Sequence, residues 1–87
     1  MNTRELRDAL LRIVFERPIS AETIEEGLDM LFQRFEREPS RAALAAAVQD
    51  VVAAGLAYEP VRLPAGALHC HWRLELTPRG QQAAQQA

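Results

Sequence analysis

The sequence lacks several features that would mark common classes of protein. It has a single cysteine, Cys70, so no disulfide can form within the chain, as is usual in the reducing cytoplasm. No apolar run approaches the roughly 20 residues that a membrane-spanning helix needs, and the charged, amphipathic N-terminus has no signal-peptide core. These absences predict a cytoplasmic protein without a membrane segment.

Motifs of catalysis are also missing. The sequence contains no glycine-rich phosphate loop, no nucleophile motif and no isolated pair of carboxylates, so we expect no enzyme and no cofactor. His69 and His71 would point the same way from a strand and could chelate an ion, but Cys70 between them would point away. Because a stable metal site needs three or four ligands, we expect these histidines to face solvent or phosphate, without a metal.

Size and charge limit the remaining functions. The 87 residues predict a single domain over 1–87. A chain of this length buries only about 60–65% of its unfolded surface, so its core is thin and a homodimer would be a natural way to bury more. The net charge is −2, whereas free-standing nucleic-acid binders are more often basic. All 10 basic residues are arginines, which suit phosphate but also fit the composition of a GC-rich coding sequence.

Two amphipathic helices are predicted in the first half of the chain. The first covers about 3–16, with Asn2 in a capping box. The second covers about 20–37, with Ser20 as its N-cap. Its apolar side chains recur at helical spacing, beside a continuous acidic stripe. The apolar positions are Ile24, Leu28, Leu31 and Phe35, and the acidic positions are Glu22, Glu25, Asp29 and Glu36.

A third helix and a hairpin are predicted next. The helix covers about 40–54, and Gly55 is its expected C-terminal cap. The hairpin, 56–76, has an alternating second strand and a first strand that Pro60 limits to an edge or an interruption. A short helix is expected in the tail, 77–87. On the second strand, Leu68, Cys70, Trp72, Leu74 and Leu76 share one face and His69, His71, Arg73 and Glu75 the other.

These elements resemble the winged helix-turn-helix superfamily, and in particular small bacterial regulators of the MarR and PadR types. The matching segments are Ser-Arg-Ala-Ala-Leu at 40–44, Val-Val-Ala-Ala-Gly-Leu at 51–56 and Trp-Arg-Leu-Glu-Leu-Thr-Pro-Arg-Gly at 72–80. The resemblance implies an α+β fold with three helices, a two-stranded β-hairpin wing and a short C-terminal helix. It also implies a transcriptional regulator whose third helix enters the major groove of double-stranded DNA and whose wing touches the backbone or the minor groove.

A set of polar residues at the third helix and the wing could bind DNA. A helix N-terminus and arginines hold phosphate, while Gln49 could pair with adenine. The same arginines could instead pair with nearby glutamates on the surface. The candidate DNA-binding residues are Arg37, Ser40, Arg41, Gln49, Arg62, His71 and Arg73.

The alternative function is a winged helix for protein–protein interaction or dimerisation that does not bind DNA, and a homodimer is the expected assembly. The presumed reading face of the third helix is mostly alanine, which lets another helix approach closely, although alanine is also the best helix former and needs no partner. A second apolar stripe on the first helix predicts either that this helix is buried on two sides or that it contacts another chain. The candidate interface residues are Leu11, Phe15, Ala42, Ala46 and Ala53. Positive charge joined across the third helix and wing would favour DNA, whereas acids between the arginines would favour a protein partner.

Overall fold

The fold belongs to the α+β class. The computed structural model describes residues 2–36, 38–62 and 71–87, with Arg62 described by its backbone alone. The predicted hairpin tip at 64–67 lies outside the described residues, and so do His69 and Cys70. In chain order the elements are α1 (Thr3–Glu16), β1 (Ile19–Ala21), α2 (Ile24–Arg34), α3 (Arg41–Ala53), β2 (Val61–Arg62), β3 (His71–Leu74) and α4 (Pro78–Gln86).

Helix α1 has the predicted bounds because its end signals are local. The Glu5 backbone N–H donates to the Asn2 side chain at 2.8 Å, and the Glu5 carboxylate accepts from the Asn2 backbone N–H at 3.4 Å, which completes the capping box. The helix ends at Glu16, two residues before Pro18, as the restriction that proline places on the preceding residue requires. Its inner face buries Leu6, Leu10, Leu11 and Val14.

The prediction that Ser20 caps the second helix is wrong. Ser20 lies in strand β1, opposite Arg73 of β3, and neighbouring Ile19 is fully buried. The backbone of this segment makes ladder hydrogen bonds to β3, and α2 begins only at Ile24, where the Thr23 side chain accepts from the Glu26 N–H at 3.1 Å. A buried sheet position therefore outweighs the local capping preference of serine.

The end of α2 also differs from the prediction. The helix stops at Arg34 and not at residue 37. Glu36, two residues later, has a φ of 54°, in the left-handed region that ends a helix. A turn at Phe35 and Glu36 therefore follows α2, and Arg37 lies outside the described residues.

Helix α3 follows its sequence pattern closely. The Ser40 hydroxyl accepts from the Ala43 N–H at 3.1 Å, which confirms the predicted N-cap. At the other end Gly55 has a φ of 77°, as a left-handed C-terminal cap requires. The predicted inner face is confirmed as well, since Leu44, Ala47, Val48 and Val51 are all buried.

The sheet has three strands in the order β1-β3-β2, both pairs antiparallel. The sequence predicted only the β2–β3 pair, because β1 is three residues long and its partner lies more than fifty positions away. The predicted alternation on β3 is confirmed for its described part, with Trp72 and Leu74 buried and His71 exposed. In the described part of the predicted strand, 56–62, the pairing is limited to an isolated bridge at Ala57 and two residues after Pro60, which lacks a backbone N–H.

Two close contacts join the helices to the sheet and to the chain end. The backbone of Gly27 in α2 lies so close to the Trp72 ring that a Cβ there would overlap it. At the chain end, the Thr77 hydroxyl donates to the Gly55 carbonyl at 2.7 Å and accepts from the Gly80 N–H at 3.1 Å. Thr77 is thus the predicted cap of α4 and also ties that helix to the end of α3.

Replacing Gly27 with alanine should destabilise the fold strongly. The added methyl group must displace the Trp72 ring, which belongs to the core and is 2% exposed. We expect the free energy of unfolding to fall by about 1–3 kcal/mol in urea denaturation, as for other overpacked cores. The matched control is Gln33→Ala, an exposed change in the same helix that should alter stability by less than about 0.5 kcal/mol. Equal stability of both variants would contradict this packing.

Candidate interaction site

Arg41, the first residue of α3, is held by side chains of α2. Its guanidinium forms an ion pair with the Asp29 carboxylate and lies 5.2 Å from the centre of the Phe32 ring, within range of a cation–π contact. The Arg41 and Asp29 side chains are 60% and 47% exposed. The candidate phosphate ligand of α3 is therefore already neutralised by a carboxylate of the same chain.

Arg73 in the sheet is paired in a similar way. Its Nε and Nη2 atoms donate to the same Glu75 carboxylate oxygen at 3.2 and 3.0 Å. Both side chains are about one-third to two-fifths exposed, at 40% for Arg73 and 34% for Glu75. A phosphate that approached Arg73 would meet the negative charge of Glu75 beside it.

Arg34, the last residue of α2, donates hydrogen bonds to the C-terminal end of α1. Its Nη1 atom donates to the Arg17 carbonyl at 2.8 Å and to the Ile13 carbonyl at 3.4 Å. Burial, and then the positive charge of Arg17, lower the pKa of the Arg34 guanidinium, while Glu16 opposes the shift. Because arginine stays protonated in proteins, the charge remains and interacts favourably with the carbonyls at the α1 C-terminus.

The other candidate DNA-binding residues are only partly brought together. The backbones of Arg62 and His71 are cross-strand partners in the β2–β3 pair, and the His71 side chain is exposed. Gln49 is exposed on α3 as predicted, and Ser40 caps that helix. Among the described residues, the arginines at the α3 N-terminus and on β3 are thus each accompanied by a carboxylate.

The candidate protein-interface residues separate into two groups. Ala42, Ala46 and Ala53 are exposed on α3, as predicted. Leu11 is 2% exposed and belongs to the core, so its assignment to a surface stripe with Phe15 is wrong. Helix α1 is covered on two sides, by α3 and by α4, and this packing buries Leu11 while Phe15 stays 45% exposed.

A groove that the sequence did not reveal lies beside α3. Two adjoining depressions of about 270 and 250 Å³ share Ile24, Val61 and Trp72 among their lining residues. Ile24 and Val61 are 52% and 49% exposed, although the helical pattern places Ile24 on the core face of its helix. The Thr23-x-x-Glu26 capping pattern could have indicated that Ile24 opens the helix at its exposed end.

The described part of the chain offers neither a metal site nor a membrane-spanning helix. Within residues 2–36, 38–62 and 71–87, no group of three or more His, Cys, Asp or Glu side chains could hold a metal ion. No helix among these residues is long and apolar enough to cross a membrane.

Comparison with known proteins finds no matching family model, no matching curated protein and no matching solved structure. The function of the candidate site must therefore be inferred from its own geometry.

The ion pair between Asp29 and Arg41 should be measurable but weak. Because both side chains are about half exposed, we expect a coupling energy of about 0.5–1 kcal/mol in a double-mutant cycle of Asp29→Asn and Arg41→Gln. The free energies come from urea denaturation at low salt. Repeating the cycle at about 1 M salt should remove most of the coupling, since the Debye length falls to about 3 Å. Zero coupling at low salt would contradict the expected contribution of this pair to stability.

Proposed function

We propose that this chain is a winged-helix protein that binds another protein through the surface formed by α2 and α3. The winged-helix assignment is supported by the succession of α2, a turn, α3 and the antiparallel β2–β3 pair. Helix α4 is capped by Thr77, begins at Pro78 and follows the β2–β3 pair, as the short C-terminal helix does in the winged-helix arrangement.

The charge arrangement is the observation that carries the choice of a protein partner. Arg41 and Arg73, two of the arginines expected to clamp phosphate, each pair with a carboxylate of this chain. Glu25 and Glu26 are exposed on the first turn of α2. In this part of the structure positive charge is therefore interrupted by acids, which disfavours a nucleic-acid backbone and favours a protein partner.

The exposed face of α3 supports the same choice. It presents Ala42, Ala46 and Ala53, with Gln49 as its long polar side chain among them. Alanine offers no hydrogen bond to a base edge but lets a partner helix approach closely. Homodimerisation is one form that such a contact could take, and it stays a prediction.

A labelled random-sequence duplex tests this proposal by fluorescence anisotropy. At about 50 mM salt we expect no saturable binding, because the paired arginines would release few counterions. The matched variant Asp29→Asn removes the carboxylate that neutralises Arg41 and should raise duplex affinity, if only to weak binding. Tight binding by the unmodified chain that falls steeply toward about 200 mM salt would contradict the proposal.

Binding of the DNA backbone is the second candidate function. The observation that favours it is the α3 N-terminus, where the exposed Ser40 cap stands beside an Arg41 side chain that is 60% exposed. Phosphate could replace the Asp29 carboxylate on Arg41 at low salt.

If the duplex binds, Arg41→Ala should weaken binding across all sequences and reduce the salt slope by about one. The exposed α1 residue Arg12 supplies the control, since Arg12→Ala removes the same charge away from α3. An equal effect of both variants would exclude Arg41 as a specific phosphate ligand.

A further inference from the structure

We propose that the groove between α2, α3 and β2 binds a segment of a partner protein that carries an apolar side chain flanked by lysine or arginine. This inference rests on the proposed function and names the site and the chemistry of the partner. Its basis is the combination of an apolar floor, an exposed aliphatic rim and an acidic border.

The floor and rim of the groove are apolar. Trp72 and Val48, at 2% and 6% exposure, form buried parts of the lining, and the half-buried Leu28 lines the same depression. Ile24 from α2 and Val61 from β2 stand at the rim, and each keeps about half of its surface in water. An apolar side chain seated between Ile24 and Val61 would remove this surface from water, which is the main source of affinity for a short segment.

The border of the groove is acidic. Glu22 lines the depression at the start of α2, and Glu59 lines the one beside β2. The other titratable side chain among the described lining residues is the imidazole of His71; none of these residues is arginine, and the sequence contains no lysine. The exposed Glu25 next to Ile24 adds a further negative charge. Cationic side chains on either side of the apolar anchor would therefore find complementary charge.

The same charges disfavour a second copy of this chain as the occupant. Two grooves brought together would oppose the carboxylates of Glu22 and Glu59, and the chain carries a net charge of −2. Like charges opposed across an interface weaken association. A basic segment of another protein meets both requirements of the groove, apolar burial and positive charge.

Selection from random peptides tests the proposal over many possible ligand sequences. A phage-displayed library is selected on the immobilised 87-residue chain without a competing variant, so that peptides are recovered wherever they bind. The selected peptides are then synthesised, labelled and titrated by fluorescence anisotropy. We expect sequences with a large apolar residue next to lysine or arginine, and a Kd that rises about tenfold or more with Ile24→Ser.

Matched control variants distinguish loss of binding at the groove from a general effect of lost charge or lost apolar surface. The double variant Glu22→Gln and Glu59→Gln should raise the Kd several-fold at low salt, and this effect should shrink at high salt. Glu16→Gln with Glu38→Gln removes the same charge at exposed positions that line neither depression and should leave the Kd nearly unchanged.

Met30→Ser, an exposed change elsewhere on α2, is the matched control for Ile24→Ser. Urea denaturation checks that each variant is folded.

The outcomes distinguish this proposal from the proposed function. Failure to select any peptide, selection of acidic peptides, or equal binding to Ile24→Ser would overturn the groove as the site. Peptides that bind Ile24→Ser normally but lose affinity for Ala46→Arg would place the contact on the alanine face of α3, so that the protein-binding function stands and the groove fails. Steep salt-dependent duplex binding together with no selected peptide would overturn both.

Discussion

The contact between Trp72 and Gly27 determines how the rest of this small structure is arranged. Trp72 lies on β3, the central strand, and its ring occupies the space that a side chain at position 27 would need. Because glycine has no Cβ, α2 can approach the sheet at this point. The approach places the first turn of α2 beside β2, so that Ile24 and Val61 border the same groove. The fold and the candidate site therefore both depend on the Trp72 ring and on glycine at position 27.

The sequence predicted those parts of the fold whose signals are local. Helix α1 agrees at both ends because Asn2 caps it and Pro18 stops it, and α3 agrees because Ser40 and Gly55 bound it. Strand β1 was missed because three residues carry no clear period and their partner strand is distant in the chain. Ser20 shows how local preference and tertiary pairing can differ. Serine is a good helix cap, but here it lies in a strand because of its pairing with Arg73, which is distant in the sequence.

The candidate site was less predictable than the fold, because it depends on contacts between elements. The sequence indicated that Arg41 stands at a helix N-terminus, but its pairing with Asp29 depends on how α3 crosses α2. Ile24 was expected in the core, and its exposure follows from the later start of α2. The ion pairs Asp29–Arg41 and Arg73–Glu75 are partly exposed, and pairs of this kind add little to stability. Their larger effect is on the surface potential, since they reduce the positive charge at the α3 N-terminus and on β3.

The magnitudes of base recognition are a further argument for the proposal of a protein partner. Specific DNA binders exceed their non-specific affinity by about 4–10 kcal/mol, whereas one good bidentate contact to a base supplies about 1–3 kcal/mol. The exposed face of α3 offers Gln49 among Ala42, Ala46 and Ala53, with Asp50 adding a negative charge. On the described face of α3, one such contact would supply less than this difference. A helix with small side chains beside an apolar, acid-bordered groove is better suited to pack against a protein segment, whose recognition depends on burial and complementary charge.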